Sequence, residues 1–502
     1  MSQDGQGVWS KGWRQGRGLV LVWLVLAGAG CATSGTYEAY HQRFVAGDYA
    51  AAKELVAVEE KGEAQKGKLL EYMLEGSADQ MLGEVQAARE CFTAADRVYE
   101  DVLKQEGALG ASASQVGRTL AGDASGVYRG RFFEGTMAGT YKALAAWASG
   151  AGDHEVKTCL MQLSERQEAA KVHFAKQIAA AEAEAAQEER RSGENVGAAM
   201  GSPEMRKAEA ALMDSAARFG KYANYDNPYA YYVSGLFRLV RARGDLSELA
   251  LADQSFARAY GTGGDKGILW DKALVNGLAQ RKVKGDILKN RMWVLVENGL
   301  CPVRQEQRKT LPLMLGGELF TATLAWPELT RVPGGDGYGG FTLTGAGVKE
   351  GRAERVCSVE TLAATEYRTE LRGIWTRQAV SATAKILAQY AAQEAVRREM
   401  RERGQDPDGM VMLTGLLMGA VSVAITHADT RCWNSLPHEV LVARMEIPQD
   451  GKVELRTDEG EVLWRFRVER DSGPVVVWGR SAAAGRPTCV MVLDGKVEVV
   501  GE

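Results

Sequence analysis

The sequence lacks the short motifs of the commonest catalytic chemistries. None of its five histidines forms an H-E-x-x-H pair, and neither a G-x-S-x-G turn nor a G-x-x-x-x-G-K-[ST] phosphate loop occurs. The glycine-rich stretches 261–267 and 334–340 do not lie between a strand and a helix, so they are predicted to be turns. The sequence therefore predicts a protein that is not an enzyme and that uses neither a cofactor nor a metal ion.

The chain also lacks a marked excess of charge. Its 502 residues include 61 basic and 65 acidic side chains, a formal net charge of −4. Without a basic stripe or a long acidic arm, the sequence does not indicate a nucleic-acid partner. No C-x-x-C motif occurs, and the six cysteines after Cys31 are widely scattered, which argues against a zinc ribbon. Their pairing in disulfides is left open by the sequence.

The apolar run at the start of the chain is too short to cross a bilayer. It extends over Leu19–Gly30, whereas a spanning helix needs about 20 residues. Basic residues precede the run (Lys11, Arg14 and Arg17) and small residues end it, which is typical of a bacterial secretory signal. We therefore expect the chain to be exported.

The end of this run resembles the lipobox of bacterial lipoproteins, because Ala29 and Gly30 come directly before Cys31. Gly28 departs from that pattern, which usually has Leu there. The resemblance implies that residues 1–30 are removed, that Cys31 is acylated, and that its acyl chains bind the membrane. Ala32 implies sorting to the outer membrane, facing the periplasm. The alternative is plain secretion with a chance cysteine.

An aromatic residue flanked by alanines recurs along the chain. The members are Ala88, Phe92 and Ala95, and later Ala252, Phe256 and Ala259. Glycine turns at Gly47 and Gly83 stand at a spacing close to the tetratricopeptide period. The pattern predicts tetratricopeptide-like helical pairs, with a generic helical bundle as the alternative.

Changes in hydrophobic period divide the mature chain into segments and predict an α+β fold. The segments are an N-terminal helical repeat-like domain (31–180), a mobile loop (181–203), a second helical region (204–290), a β-rich segment (291–355), a helical region (356–427) and a C-terminal small antiparallel β-sandwich (428–502). The middle of the chain is thus predicted to contain both helices and strands.

One stretch within the helical region has no charge over seventeen residues, Met410–Thr426. That length is at the lower limit for crossing a bilayer, and Gly415 and Gly419 have the spacing of closely packed helices. A buried core helix is one interpretation of this stretch. A membrane-embedded or oligomer-forming helix is the other.

The segment after this helix holds the remaining candidate residues. His427, Asp429, Cys432 and His438 are four potential metal ligands, but their spacing matches no known pattern. Arg431 and Trp433 are candidates for a clamp at the junction with the β domain, by charge and ring packing, or for part of a partner surface.

Three stretches, Tyr222–Asp245, Val294–Leu313 and Ala428–Gly451, resemble an uncharacterised family of exported bacterial lipoproteins with tetratricopeptide-like helices and a C-terminal β module. With the N-terminal helices, the similarity covers nearly the whole mature chain. The resemblance implies a location in the cell envelope and an association with lipoproteins that activate peptidoglycan synthesis. It carries no established activity.

From these observations we expect a non-enzymatic outer-membrane lipoprotein that binds other envelope proteins and is linked to cell-wall synthesis. A first alternative is an oligomeric secretion or pore-associated component with 410–426 in the membrane. A second is an envelope hydrolase or metal enzyme, which no motif supports.

Overall fold

The computed structural model of the protein describes residues 35–58, 67–109, 127–169, 202–315, 318–407, 409–415 and 427–500, with the single positions 65, 179 and 183. This part is a mixed α+β structure whose C-terminal strands are largely antiparallel, so the predicted α+β class is confirmed. The predicted signal peptide, Cys31 and most of the predicted loop 181–203 lie outside the described residues.

Most helices of the described part precede the strands in the chain. In chain order they are α1 (35–46), α2 (Tyr49–Val56), α3 (Leu69–Met81), α4 (Val85–Leu109), α5 (Phe132–Ala148), α6 (153–169), α7 (Pro203–Ser215), α8 (Pro228–Arg241), α9 (Leu246–Gly263), α10 (Leu269–Ala279), α11 (Val359–Glu402) and α12 (409–415).

Local sequence sets where several of these helices begin and end. The Asn227 side chain accepts a hydrogen bond from the Tyr229 amide, and Pro228 occupies the first turn of α8. Asp245 caps α9 in the same way, through the Ser247 amide. Such caps satisfy amides that have no partner within the helix.

The same kind of packing contact occurs within two helical pairs. In each pair, a phenyl ring of the second helix lies on a glycine of the first. A Cβ atom added to Gly76 of α3 would lie 2.8 Å from Cε1 of Phe92 in α4. A Cβ atom added to Gly235 of α8 would lie 2.7 Å from Cε1 of Phe256 in α9. The alanines that flank each phenylalanine in the sequence pattern are also buried.

The strands of the described part begin after α10. They are β1 (Arg291–Asn298), β2 (Val303–Leu315), β3 (Glu318–Thr330), β4 (Phe341–Thr344), β5 (Gly351–Arg352), β6 (Glu354–Ser358), β7 (Glu439–Glu446), β8 (Lys452–Thr457), β9 (Val462–Val468), β10 (Val475–Ser481), β11 (Cys489–Asp494) and β12 (Val497–Val500).

Two five-stranded sheets enclose a common core. Their strand orders are β11-β10-β1-β7-β6 and β12-β9-β8-β4-β5. Strand β1 is parallel to β10 and antiparallel to β7. The predicted segments 291–355 and 428–502 therefore contribute strands to both sheets. Strand β1 takes the central place because it is buried along nearly its whole length, with Val294 towards the second sheet and Trp293 towards the helices.

The third sheet is the hairpin β2–β3, which packs on α7 and α11 through a separate core. Beyond that core, the Gln389 side chain of α11 donates a hydrogen bond to the Gly415 carbonyl of α12. Met412 and Leu413 of α12 are 68% and 49% exposed. Within the described residues no helix is both long and apolar enough to cross a membrane. Positions 416–426 of the predicted uncharged helix lie outside the described residues.

A Gly76→Ala substitution tests the contact between helices α3 and α4. We expect it to lower the free energy of unfolding by about 1–3 kcal/mol, because the new methyl group overlaps the buried ring of Phe92. Gly261→Ala in α9 is the matched control, since a Cβ atom there meets nothing within 4 Å, and it should stabilise the helix by up to about 1 kcal/mol. Equal effects of the two substitutions in denaturant titrations would show that the contact does not constrain the pair.

Candidate functional site

The segment that links the helical region to strand β7, residues 427–435, contacts several separate elements. We call it the junction segment. At its start, the Ala428 amide donates to Oε2 of Glu306 at 2.7 Å, and Nδ1 of His427 lies 2.7 Å from a guanidinium nitrogen of Arg308. Both partners belong to strand β2, so the junction segment begins against the hairpin.

Trp433 lies in the interior, with 2% of its surface exposed. Its indole nitrogen donates to Oγ of Ser77 in α3 at 2.8 Å, and its ring contacts Phe92 of α4 and Tyr141 of α5 at centroid distances of 5.9 and 5.7 Å. A single side chain of the junction segment thus contacts three helices of the N-terminal region.

Arg431 lies nearer the surface. Its guanidinium binds both carboxylate oxygens of Asp429 at 2.8 and 2.9 Å and stands 5.6 Å from the ring centroid of Tyr128. Its carbonyl accepts a hydrogen bond from Arg131 at 2.8 Å. The two candidate residues therefore lie on different sides of the segment: Trp433 in the core and Arg431 at a half-buried edge.

The carboxylate of Glu134, in the first turn of α5, binds the junction segment. It is fully buried and accepts hydrogen bonds from the amides of Arg131 and Trp433, both at 2.8 Å, and from the Tyr128 hydroxyl. Burial, and then the neighbouring Glu134, raise the pKa of Tyr128 well above its usual value, so the phenol stays a donor. An acidic side chain in the first turn of α5 also interacts favourably with the positive end of the helix dipole.

A cleft of about 360 Å³ opens between α1, the start of β2 and the junction segment. We call it the α1 cleft. Its walls combine polar and apolar side chains: Tyr37, Glu38, His41, Gln42, Val45, Val303, Arg304, Gln305, Val332, Pro333, Thr430, Arg431, Cys432 and Asn434. Both arginines already have carboxylate partners, since Arg304 binds Glu370 at 2.8 Å and Arg431 binds Asp429.

A second polar centre, at Glu297 of strand β1, was not predicted from the sequence. Its carboxylate is fully buried and accepts hydrogen bonds from the hydroxyls of Tyr141 at 2.8 Å and Tyr229 at 3.0 Å and from the indole nitrogen of Trp478 at 3.0 Å. The guanidinium of Arg480, also fully buried, lies 3.8 Å away. Burial raises the pKa of Glu297, against the lowering effect of Arg480.

The sequence does contain a signal for this centre. Glu297 directly follows the apolar run Met292–Val296 and is the one charged residue among positions 292–298. Arg480 follows the similar run Val475–Gly479. A charge inside a strand that is otherwise apolar indicates a buried pair or network.

The four potential metal ligands of the junction region do not converge. Asp429 binds Arg431, His427 lies beside Arg308, and Nδ1 of His438 is 3.4 Å from a carboxylate oxygen of Glu360. Within the described residues, the group of three or more potential ligand atoms that do come together is Glu75, Asp79 and Cys91, all buried. The ammonium of Lys53 lies 2.7 Å from Asp79 of that group, so the carboxylate already has a positively charged partner.

The six cysteines of the described part are free thiols, five of them buried. Comparisons of the chain with protein-family models, with curated proteins and with solved structures find no match.

The hydrogen bond between Trp433 and Ser77 can be measured with a double-mutant cycle. We expect Trp433→Phe and Ser77→Ala each to lower stability, with a coupling energy of about 0.5–1.5 kcal/mol for the lost bond. Trp433→Ala should cost about 3–5 kcal/mol, because it also empties the space between the three helices. Denaturant unfolding of the four chains gives the coupling energy, and a value near zero would mean that this hydrogen bond adds nothing to the ring packing of Trp433.

The pKa of Glu297 makes stability depend on pH. Because that pKa is raised in the folded chain, the side chain favours folding most below the ordinary glutamate pKa of about 4.3, and the contribution is lost as the pH rises through the folded value. We expect the stability of wild type relative to Glu297→Gln to fall as the pH rises from about 4 to about 8. If the advantage of wild type over Glu297→Gln instead grows with pH, the fold stabilises the ionised carboxylate and the pKa is lowered.

Proposed function

We propose that the protein is an exported lipoprotein, anchored through Cys31 in the outer membrane, that serves as a protein-interaction module of the bacterial cell envelope. The observation that carries the proposal is the apolar run Leu19–Gly30, which follows basic residues and ends directly before Cys31. Two acyl chains on that cysteine would hold the protein firmly at the membrane surface.

The packing of the helices supports a role in binding proteins. In both the α3/α4 and the α8/α9 pair, a phenylalanine flanked by alanines lies on a glycine of the preceding helix. This contact is what we expect of tetratricopeptide-like pairs, which stack into extended concave surfaces suited to protein ligands. The two five-stranded sheets with their shared core support a β-sandwich as the C-terminal module.

The proposal assigns no catalysis to the protein. The sequence contains none of the nucleophile, metal or phosphate motifs considered above, and the candidate ligands His427, Asp429, Cys432 and His438 each have separate partners or surroundings. The link to cell-wall synthesis comes from the family resemblance alone.

One observation favours the second candidate, an oligomeric secretion or pore-associated component. Met410, Met412 and Leu413 are exposed at the start of the uncharged stretch, although a core helix would bury them. An apolar surface of this kind suits a second copy of the chain or a membrane.

The anchor is tested by exchanging the native signal for an ordinary cleavable one and changing Cys31→Ser. We expect more than about nine-tenths of the protein to move from the membrane fraction to the soluble periplasmic fraction, because the loss of two acyl chains removes the main membrane-binding free energy. Cys432→Ser behind the native signal is the matched control and should stay in the membrane fraction.

The same fractionation separates the two candidate functions. If the Cys31→Ser chain remains bound to membranes after high-salt and carbonate washing, a second insertion site exists and the anchor-only proposal fails. In that case a further Leu413→Asp substitution should release the chain if α12 enters the bilayer.

A further inference from the structure

An exposed tryptophan lies in the first turn of helix α10, beside two arginines. Trp270 is 37% exposed, and Leu269 before it is 39% exposed. The guanidinium carbon of Arg291, the first residue of β1, is 5.1 Å from the centroid of the indole ring, and that of Arg444 in β7 is 5.6 Å from it. Tryptophan and arginine are the residue types that most often provide the binding energy of protein interfaces.

The two arginines differ in their partners. Arg444 donates to the buried carboxylate of Asp271 at 2.9 Å and lies 3.5 Å from Glu354. Arg291 has no hydrogen bond and no ion pair among the described residues, and its Nε atom is buried. Burial lowers the pKa of Arg291, and the attraction of Glu446 and Asp271 does not offset that effect. This half-buried cation therefore gains from any carboxylate that reaches it.

The connection between α10 and β1 adds further basic side chains next to this tryptophan. Positions 281–291 contain five basic residues and one acidic residue. The connection lies along α10, because a Cβ atom added to Gly277 would be 2.7 Å from Cγ2 of Val283 and because Arg291 contacts Trp270. We call the resulting patch the basic surface, and its members are Leu269, Trp270, Arg281, Lys282, Lys284 and Arg291.

The positive charge of the basic surface is not balanced by its surroundings. The exposed Arg281, Lys282 and Lys284 have no ion pair among the described residues. The acidic side chains of this region already have basic partners, which are Lys289 for Asp286, Arg470 for Glu446 and Arg444 for Glu354. Because the whole chain has a formal net charge of −4, this excess of positive charge is local.

The basic surface and helix α1 lie at opposite ends of strand β1. Arg291 begins the strand and Asn298 ends it. The carbonyl of Asn298 accepts from the amide of His438, three residues after the junction segment. Asn434 of that segment donates to the Tyr37 carbonyl of α1. The eight residues of β1 extend over about 23 Å, which separates the two ends.

This separation bears on which partner the basic surface meets. Four residue steps connect Cys31 to the start of α1 at Gly35, and they span at most about 14 Å. An acyl anchor at Cys31 therefore holds the α1 end of the molecule nearest the bilayer. The basic surface, at the other end of β1, is then directed towards partners other than the lipids that hold the anchor.

We propose that the basic surface binds an acidic segment of a partner protein. Carboxylates of such a segment pair with Arg291 and Lys284, and an apolar side chain between them covers the exposed parts of Leu269 and Trp270. The inference deepens the proposed protein-interaction role and rests on it, because the position of the anchor is what favours a protein over the membrane.

The test measures binding of two labelled peptides to the purified chain without its signal peptide, by fluorescence anisotropy at low ionic strength. One peptide has the sequence EELEELEE, and the other has lysine in place of each glutamate. The acidic peptide should bind at millimolar concentration or below, and added salt should weaken the binding. The lysine peptide should not bind.

Three variants assign the binding to the basic surface. Arg291→Gln should weaken binding of the acidic peptide about tenfold, as expected for one lost charge-assisted hydrogen bond. Lys284→Gln, at an exposed position where folding is unaffected, should weaken it a few-fold. Arg486→Gln is the matched control, since this exposed arginine lies beside Gly47 at the α1 end, and it should bind as wild type does.

Four results would overturn the proposal. They are no binding of the acidic peptide at millimolar concentration, equal binding of the two peptides, binding that Arg291→Gln and Lys284→Gln leave unchanged, and displacement of the peptide by vesicles of phosphatidylglycerol and phosphatidylcholine, which would assign the surface to lipid. The fractionation of the Cys31→Ser chain is independent of this assay. Peptide binding with a failed anchor test refutes the anchor alone, and the reverse outcome refutes the basic surface alone.

Discussion

The burial of the Glu297 carboxylate is the constraint on which the arrangement of helices and sheets depends. Apolar surfaces alone allow a helix layer to slide over a sheet, because hydrophobic burial has no direction. The side chain of Glu297 restricts that freedom, because Tyr141 of α5, Tyr229 of α8 and Trp478 of β10 donate to it and offset the cost of its burial. These hydrogen bonds fix the positions of two helices and the neighbouring strand relative to β1.

Other buried carboxylates of the described part are held in a similar way. Glu134 of α5 accepts from the junction segment, and Asp271 of α10 accepts from Trp293 of β1 at 2.8 Å and from Tyr232 of α8 at 2.7 Å. Each carboxylate joins elements far apart in the chain, and each would be costly to bury without its donors. Residues of the junction segment, which Glu134 binds, also line the α1 cleft.

Regular local patterns were enough to predict many of the elements. In the sequence, apolar and polar residues alternate over Gly317–Leu329 and Gly339–Val348, where strands β3 and β4 lie. Apolar residues recur at three- and four-residue spacing over Thr369–Met400, which lies within helix α11. The alanine-flanked phenylalanines are buried as their spacing suggests, because helix packing of this kind depends on residues close together in the chain.

Those local patterns could not predict the pairing of distant strands or the burial of charged side chains. The apolar run of β1 predicts a strand but not its neighbours, since β7 and β10 follow only after a long helical insertion. The donors of Glu297 come from three elements, so no spacing in the sequence connects them. The α1 cleft could not be predicted for the same reason: α1, β2 and the junction segment meet only in the folded chain.

The central position of β1 also sets the order of events during folding. Strand β1 is synthesised well before β7 and β10, between which it finally lies, so its buried backbone edges stay unpaired while α11, α12 and the intervening strands emerge. Closing such a distant parallel pair is slow, and an early chain exposes an apolar strand prone to aggregation. Folding of this sheet is therefore a late step that needs nearly the whole chain, and a chaperone that covers Arg291–Asn298 would protect it until then.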